Sequence, residues 1–326
     1  MPTDLPADLP TDLFTILSPL NRSTQESSAQ EHSAQERSGQ EDSGSKPLPI
    51  IANLPHSGLQ VPEHIAQHFT PEHLQSLPNS DWHLQELYQF LPSLGVTVMQ
   101  ANYSRYVVDL NRALKPPFLG SFWSAVVPEQ TAFKQPIYTR KPSRSEVRDR
   151  IEHYYTPYHQ KLTALLNEKI TQFGYVYLLD LHSFMGLITD DVCLGNANGT
   201  TCGPHLIESA EAAFAQQGYQ VVKNKVFTGG YITRHYGQQN TGGQQNTRQK
   251  TGGQRNTDLT SPRRREQQPV EALQIEIRYP TYLSNDEIER AAIPGWQGPL
   301  FEQAQSQLKR VFEALIASLG TPRATT

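Results

Sequence analysis

From Pro49 to Leu319 the sequence alternates strand-length apolar runs with longer segments of helical period, a pattern that few architectures satisfy. The short runs are Pro49–Leu54, Val96–Ala101, Arg105–Leu110, Tyr175–Leu181, Asp191–Gly195, Tyr219–Val222 and Leu273–Ile277. Apolar residues recur at helical spacing over Asp81–Leu91, Glu146–Phe173, Pro204–Gln217 and Pro299–Leu319. Pro157 lies inside the second of these and should kink or divide it, because proline has no N–H to give and crowds the preceding turn. Strands alternating with helices imply an α/β fold, with a mostly parallel or mixed central sheet flanked by helices. In such sheets, sites gather beyond the carboxyl ends of strands.

Two polar tracts interrupt the pattern. Residues 24–45 repeat a Gln-Glu pair every five residues, separated by serine-bearing pairs. That composition cannot bury enough apolar area to offset ordering entropy, so residues 1–46 are expected to form a disordered tail. Gly237–Pro269 repeats Thr-Gly-Gly-Gln and carries the basic run Arg263-Arg264-Arg265. With strand signals on both sides, 237–269 reads as a surface insertion within a single domain at 47–320, followed by a flexible 321–326. The formal net charge of −4 gives no electrostatic reason to expect nucleic acid. Cys193 and Cys202 have no paired spacing, which argues against a disulfide framework and a thiolate zinc site. The start of the chain lacks the basic and apolar regions of a signal peptide, and no stretch approaches a membrane helix. A cytoplasmic location without membrane contact is the expectation.

Polar residues cluster where strand signals end. One apolar run stops at Pro55-His56-Ser57-Gly58, and another at His182-Ser183, preceded by Asp180. A histidine at the end of a buried strand suits metal coordination, because the backbone fixes its ring. A hydrogen-bonded core histidine is the alternative for either one alone. Gln274, Glu276 and Arg278 alternate with Ile275 and Ile277, so all three share one face of their strand. A polar face on a central strand is costly unless it lines a site; an ion pair between Glu276 and Arg278 is the other reading.

Six blocks, taken together, resemble the N-formylglutamate amidohydrolases. They are Pro55–Gly58, Ser104–Arg112, Pro157–His159, Leu179–Ser183, Gly229–Tyr231 and Gln274–Arg278, in the family's order, within residues 48–317. The resemblance implies a fold related to the zinc carboxypeptidases and one zinc ion per chain, held by two histidines and a carboxylate. It also implies a small-molecule N-acyl amino acid substrate, N-formyl-L-glutamate foremost. His56 and His182 match the histidine ligands. Carboxypeptidases place a glutamate three residues after the first histidine, where this chain has Leu59. The candidates for the carboxylate are therefore Asp81, which matches a recurrent aspartate of the family, and Glu63. Three protein ligands leave a fourth zinc position open, the arrangement of catalytic sites. Glu276 matches the general base, and Asn111-Arg112 resembles the pair that clamps a terminal carboxylate. Arg105, Tyr231 and Arg278 are further substrate-binding candidates, Asp180 a partner that orients a ligand histidine, and His159 a structural residue. A zinc deacylase for another N-acyl amino acid or small amide, and a non-catalytic binding protein on the same scaffold, are the alternatives.

Overall fold

In a computed structural model of the 326-residue chain, residues 12–19, 45–186, 188–237 and 269–320 are described. Seven strands build the main sheet: β1 (Phe14–Leu17), β2 (Ile50–Leu54), β3 (Thr97–Ala101), β6 (Val176–Phe184), β7 (Val192–Gly195), β8 (Val221–Lys223) and β9 (Val270–Arg278). The two-residue strands β4 (Leu119–Gly120) and β5 (Val127–Pro128) pair separately. Between them lie α1 (Glu63–Ala66), α2 (Pro71–Ser76), α3 (Leu84–Leu87), α4 (Arg144–Arg150), α5 (Thr156–Phe173), α6 (Pro204–Gln216), α7 (Tyr231–Gly237), α8 (Asn285–Ile288) and α9 (Pro299–Gly320).

The order across the sheet is β1-β3-β2-β6-β9-β7-β8. The central four strands, β3, β2, β6 and β9, run parallel, while β1 and β7 join antiparallel. The sheet is thus the mixed form of the expected α/β architecture. Every residue of β2 and β6 is buried, as helices on both faces require. Period-two alternation sends Tyr177, Leu179 and Leu181 of β6 into one core with α6 and α9, and Val176 and Leu178 into a second core with α5. Asp180 and His182 therefore share the face that carries Leu178. None of the helices among the described residues is long and apolar enough to cross a membrane.

Pro157 divides its helical span as expected. A π-helical turn at Ile151–Tyr155 separates α4 from α5, and the proline sits just after it, at the second position of α5. Three sequence expectations need correction. Arg105–Leu110 is a buried turn and not a strand, and it joins no strand of the main sheet. Its amides go to Ser104 and Val126 carbonyls instead. The helix of Asp81–Leu91 shrinks to α3, because His83 takes a left-handed conformation (φ 61°) and Leu91–Leu94 forms a 3₁₀ turn. The tail expected at 1–46 contains an ordered strand. In β1, Phe14 and Ile16 pack on one core and Leu17 on the other, and Phe14 opposes Ala101 in the ladder. Averaged composition hid this short Phe-Thr-Ile-Leu run among polar neighbours. Residues 1–11 and 20–44 of the tail, the body of the insertion at 238–268 and residues 321–326 lie outside the described residues.

Deleting residues 1–19 should therefore destabilise the protein, since it uncovers the edge of β3 and the apolar faces that Phe14, Ile16 and Leu17 shield. The loss expected is on the order of 3 kcal/mol, from half-burial of three large apolar side chains together with Leu13. Equilibrium unfolding in denaturant measures it; an unchanged midpoint and slope would mean that β1 contributes nothing.

Candidate functional site

Parallel pairing brings the polar residues of separate strands into rows. Asn53 of β2 opposes Asp180 of β6, which opposes Gln274 of β9; in the next row, His182 opposes Glu276. His56 follows two residues after β2, so it lies beyond the carboxyl end of a central strand. Asp81, just before α3, is tied to that loop by its own N–H, which donates to the His56 carbonyl (3.1 Å). These local features bring His56, Asp81 and His182 together, all buried, with one possible ligand atom from each lying within 4.8 Å of the others. Glu63 is exposed in the first turn of α1 and stands apart from this cluster.

The two imidazoles are arranged alike. Each turns Nδ1 toward Asp81 Oδ2, at 3.8 Å from His56 and 3.0 Å from His182. Each turns Nε2 toward a second carboxylate, Asp109 at 2.7 Å for His56 and Asp180 at 3.1 Å for His182. Two imidazole nitrogens and a carboxylate oxygen, with an outer carboxylate orienting each ring, form a donor set that fits a divalent metal ion. The outer carboxylates are themselves held. Asp109 Oδ2 accepts from Arg105 at 2.6 Å, and its Oδ1 accepts the Asn111 N–H at 2.9 Å. Asp180 accepts from Asn53 (2.9 Å) and Thr233 (3.1 Å), and Asn53 in turn accepts from the Tyr158 hydroxyl (2.7 Å).

Charge states follow from these contacts. Burial, reinforced by the Arg105 charge, pushes His56 down to about 4, against the pull of Asp109. For His182 burial also opposes the charged form, yet the Asp180 and Asp81 carboxylates outweigh it and hold the ring well above the usual imidazole range. Asp109 resists burial through Arg105, Arg112 and His56, which keep it well below the ordinary carboxylate value. Burial pushes Glu276 up to about 8, with His182 pulling it down and Asp81 pushing it up. Gln274 donates to Glu276 Oε1 at 2.6 Å and accepts the Gly230 N–H, so the carboxyl is linked to the Gly229–Gly230 turn. Gly230 permits that approach: a Cβ there would lie 2.3 Å from Asn111 Nδ2.

A cavity of about 680 Å³ opens over this cluster, lined by His56, Asp81, His182, Glu276, Asn111 and Arg112 among others. Asn111 stands close to the histidines, its Nδ2 3.2 Å from His182 Nε2 and its Oδ1 accepting the Ile232 N–H. Arg112 hangs its guanidinium on the carbonyls of Phe122 (3.2 and 3.1 Å) and Asn111 (2.9 Å), and Asp109 lies 3.8 Å away. Arg105 borders the cavity too, but its charge is engaged by Asp109 and by the Asn79 carbonyl. The remaining two substrate candidates lie elsewhere: neither Arg278 nor Tyr231 is among the described residues that border the cavity. Arg278, at the last position of β9, donates to the Thr189 carbonyl (3.0 Å), and Tyr231 stacks on His235 with ring centres 4.9 Å apart. His159 uses both ring nitrogens, Nε2 donating to the Leu110 carbonyl and Nδ1 accepting from Tyr236. Asp109 is the residue that sequence reasoning passed over. Its signal was a single carboxylate inside the buried run Val107-Val108-Asp109-Leu110, four residues after an arginine.

A family model described as N-formylglutamate amidohydrolase matches residues 48–246. An N-formylglutamate deformylase of Pseudomonas putida is 37% identical over 202 residues, which cover 58% of this chain and 75% of that protein. One from Pseudomonas aeruginosa is 29% identical over 281 residues, covering 83% and 93%. Among solved structures, the N-formylglutamate amidohydrolase of Ralstonia eutropha JMP134 has the same fold, with a TM-score of 0.65 at 24% identity over 94% of this chain and 97% of that one.

Proposed function

This chain belongs to the N-formylglutamate amidohydrolase family, and from that premise we propose that it hydrolyses N-formyl-L-glutamate to formate and L-glutamate with one zinc ion per chain. The chain is a hydrolase of a linear amide bond. The observation that carries the finer reading is the convergence of His56, Asp81 and His182 beneath a cavity that Glu276 also enters. In this reading those three residues would hold the zinc, which would supply Lewis acidity there. Asp109 and Asp180 keep the proton of each imidazole on Nε2, leaving the Nδ1 lone pairs directed at the metal position. Glu276 takes a proton from the attacking water as the carbon–oxygen bond forms, and gives it to the amide nitrogen as the carbon–nitrogen bond breaks. A carboxyl raised to about 8 by burial is matched to both halves of that transfer near neutral pH. Asn111 and Arg112 meet the substrate carboxylate, for which the planar guanidinium fork is suited. The catalytic body in this reading is residues 47–320, extended by β1.

The reading is tested on purified full-length protein. Metal analysis should find about one zinc per chain, and the zinc-loaded protein should release formate and glutamate from N-formyl-L-glutamate in equal amounts. Metal-replete protein that releases neither would refute it.

A further inference from the structure

The cavity changes character from floor to mouth. Its floor is the charged cluster just described, whereas its mouth is apolar. Among the described residues, eight large hydrophobic side chains are exposed, and four of them, Trp123 (58%), Phe133 (64%), Met185 (44%) and Val226 (40%), border this one cavity. Exposed apolar side chains scattered singly need no explanation, but a ring of them around one opening does. The cations are few. Arg105 and Arg112 are the only Lys or Arg residues among the described lining, and Arg105 is ion-paired with Asp109 at 2.6 Å. One guanidinium is thus left for a substrate carboxylate.

The aromatic wall also adjoins the clamp. Arg112 lies over the Phe122 ring, 5.8 Å from its centre, and Phe122 packs edge-on against Trp123 at 5.1 Å. In an N-acyl amino acid, the side chain leaves the same carbon that bears the carboxylate. That carbon also bears the amide nitrogen, so with the acyl carbonyl placed at the His56, Asp81 and His182 cluster and the carboxylate on Arg112, the side chain is the substituent left to face this wall. We infer that the site also hydrolyses N-formyl amino acids with a large apolar side chain, which the aromatic mouth accommodates. This inference rests on the proposed amide hydrolysis and widens its substrate class.

The test compares kcat/KM of the zinc-loaded full chain for N-formyl-L-phenylalanine, N-formyl-L-glutamate and N-formyl-L-glutamine, the last being a neutral polar control of glutamate's size. The phenylalanine substrate should exceed the glutamine one by about tenfold or more, as burial of an apolar side chain implies. The double substitution Trp123→Ser with Phe133→Ser should lower the phenylalanine value by a factor about ten times larger than it lowers the glutamate value. Formate release from N-formyl-L-glutamate, together with a phenylalanine value no higher than that for glutamine, would overturn the inference and leave the proposed function standing. Release from none of the three would overturn both. Equal losses for phenylalanine and glutamate in the double variant would assign the apolar mouth to something other than substrate side chains, and the inference would fall.

Discussion

Glu276→Gln will lower kcat by at least about a hundredfold, and by up to about ten-thousandfold, while substrate binding and metal content stay near their starting values. Glutamine keeps the shape of the side chain and can still accept from Gln274, so the geometry around β9 is retained. It cannot take a proton from water. Because the lost group acts only as the barrier is crossed, kcat and kcat/KM should fall together with little change in KM. The acid limb of the pH profile that reports a carboxylate base should vanish with it. Steady-state kinetics over pH on both proteins makes the comparison. A variant that turns over at the original rate would place the base elsewhere and remove the proton-transfer scheme.

The second large effect concerns the metal. His56→Ala or His182→Ala should abolish stoichiometric zinc and with it formate release, because two donors fall short of the three protein ligands of a catalytic site. Asp109→Asn and Asp180→Asn should keep the ligands but lose their orientation, weakening metal affinity by about ten- to a hundredfold. Asp81→Asn should weaken binding far more than Glu63→Gln, since Asp81 faces both imidazoles and Glu63 sits exposed on α1. Competition with a chromophoric chelator reads these affinities. Full zinc retention in both histidine variants would dissolve the proposed ligand set.

Much of the sheet was legible from its apolar runs, because β2 and β6 are buried on both faces and so carry nearly uninterrupted hydrophobic sequence. The same cue misled at Arg105–Leu110, since a turn buried in the core needs apolar residues as much as a strand does. What decides between them is whether the segment pairs with a neighbouring strand, which only the tertiary arrangement determines. His56 and His182 were visible as strand-end histidines, and Glu276 as a charge on a buried strand. Asp81 was reached through family resemblance, with Glu63 left open beside it. The partnership of Asp109 with His56 spans 53 positions of sequence and has no local signature. Alternation correctly put Arg278 on the face of Glu276, but one step farther along the strand the side chain clears the cavity and meets Thr189. Periodicity assigns a face, while the length of the strand decides whether that face still overlooks the site.

The flanking of His182 by two carboxylates has a consequence for how the protein is charged with metal. The Asp180 and Asp81 carboxylates favour the protonated imidazole, so without a metal ion the pocket would hold a proton near the proposed metal position. Loading of the proposed metal would then be an exchange, one ion entering as a proton leaves, because only the neutral ring can ligate. The sign follows directly: below the raised value each unit of added acidity makes the exchange about tenfold less favourable, and above it the dependence fades. If the proposed metal is bound there, acid would release it by exchanging one cation for another.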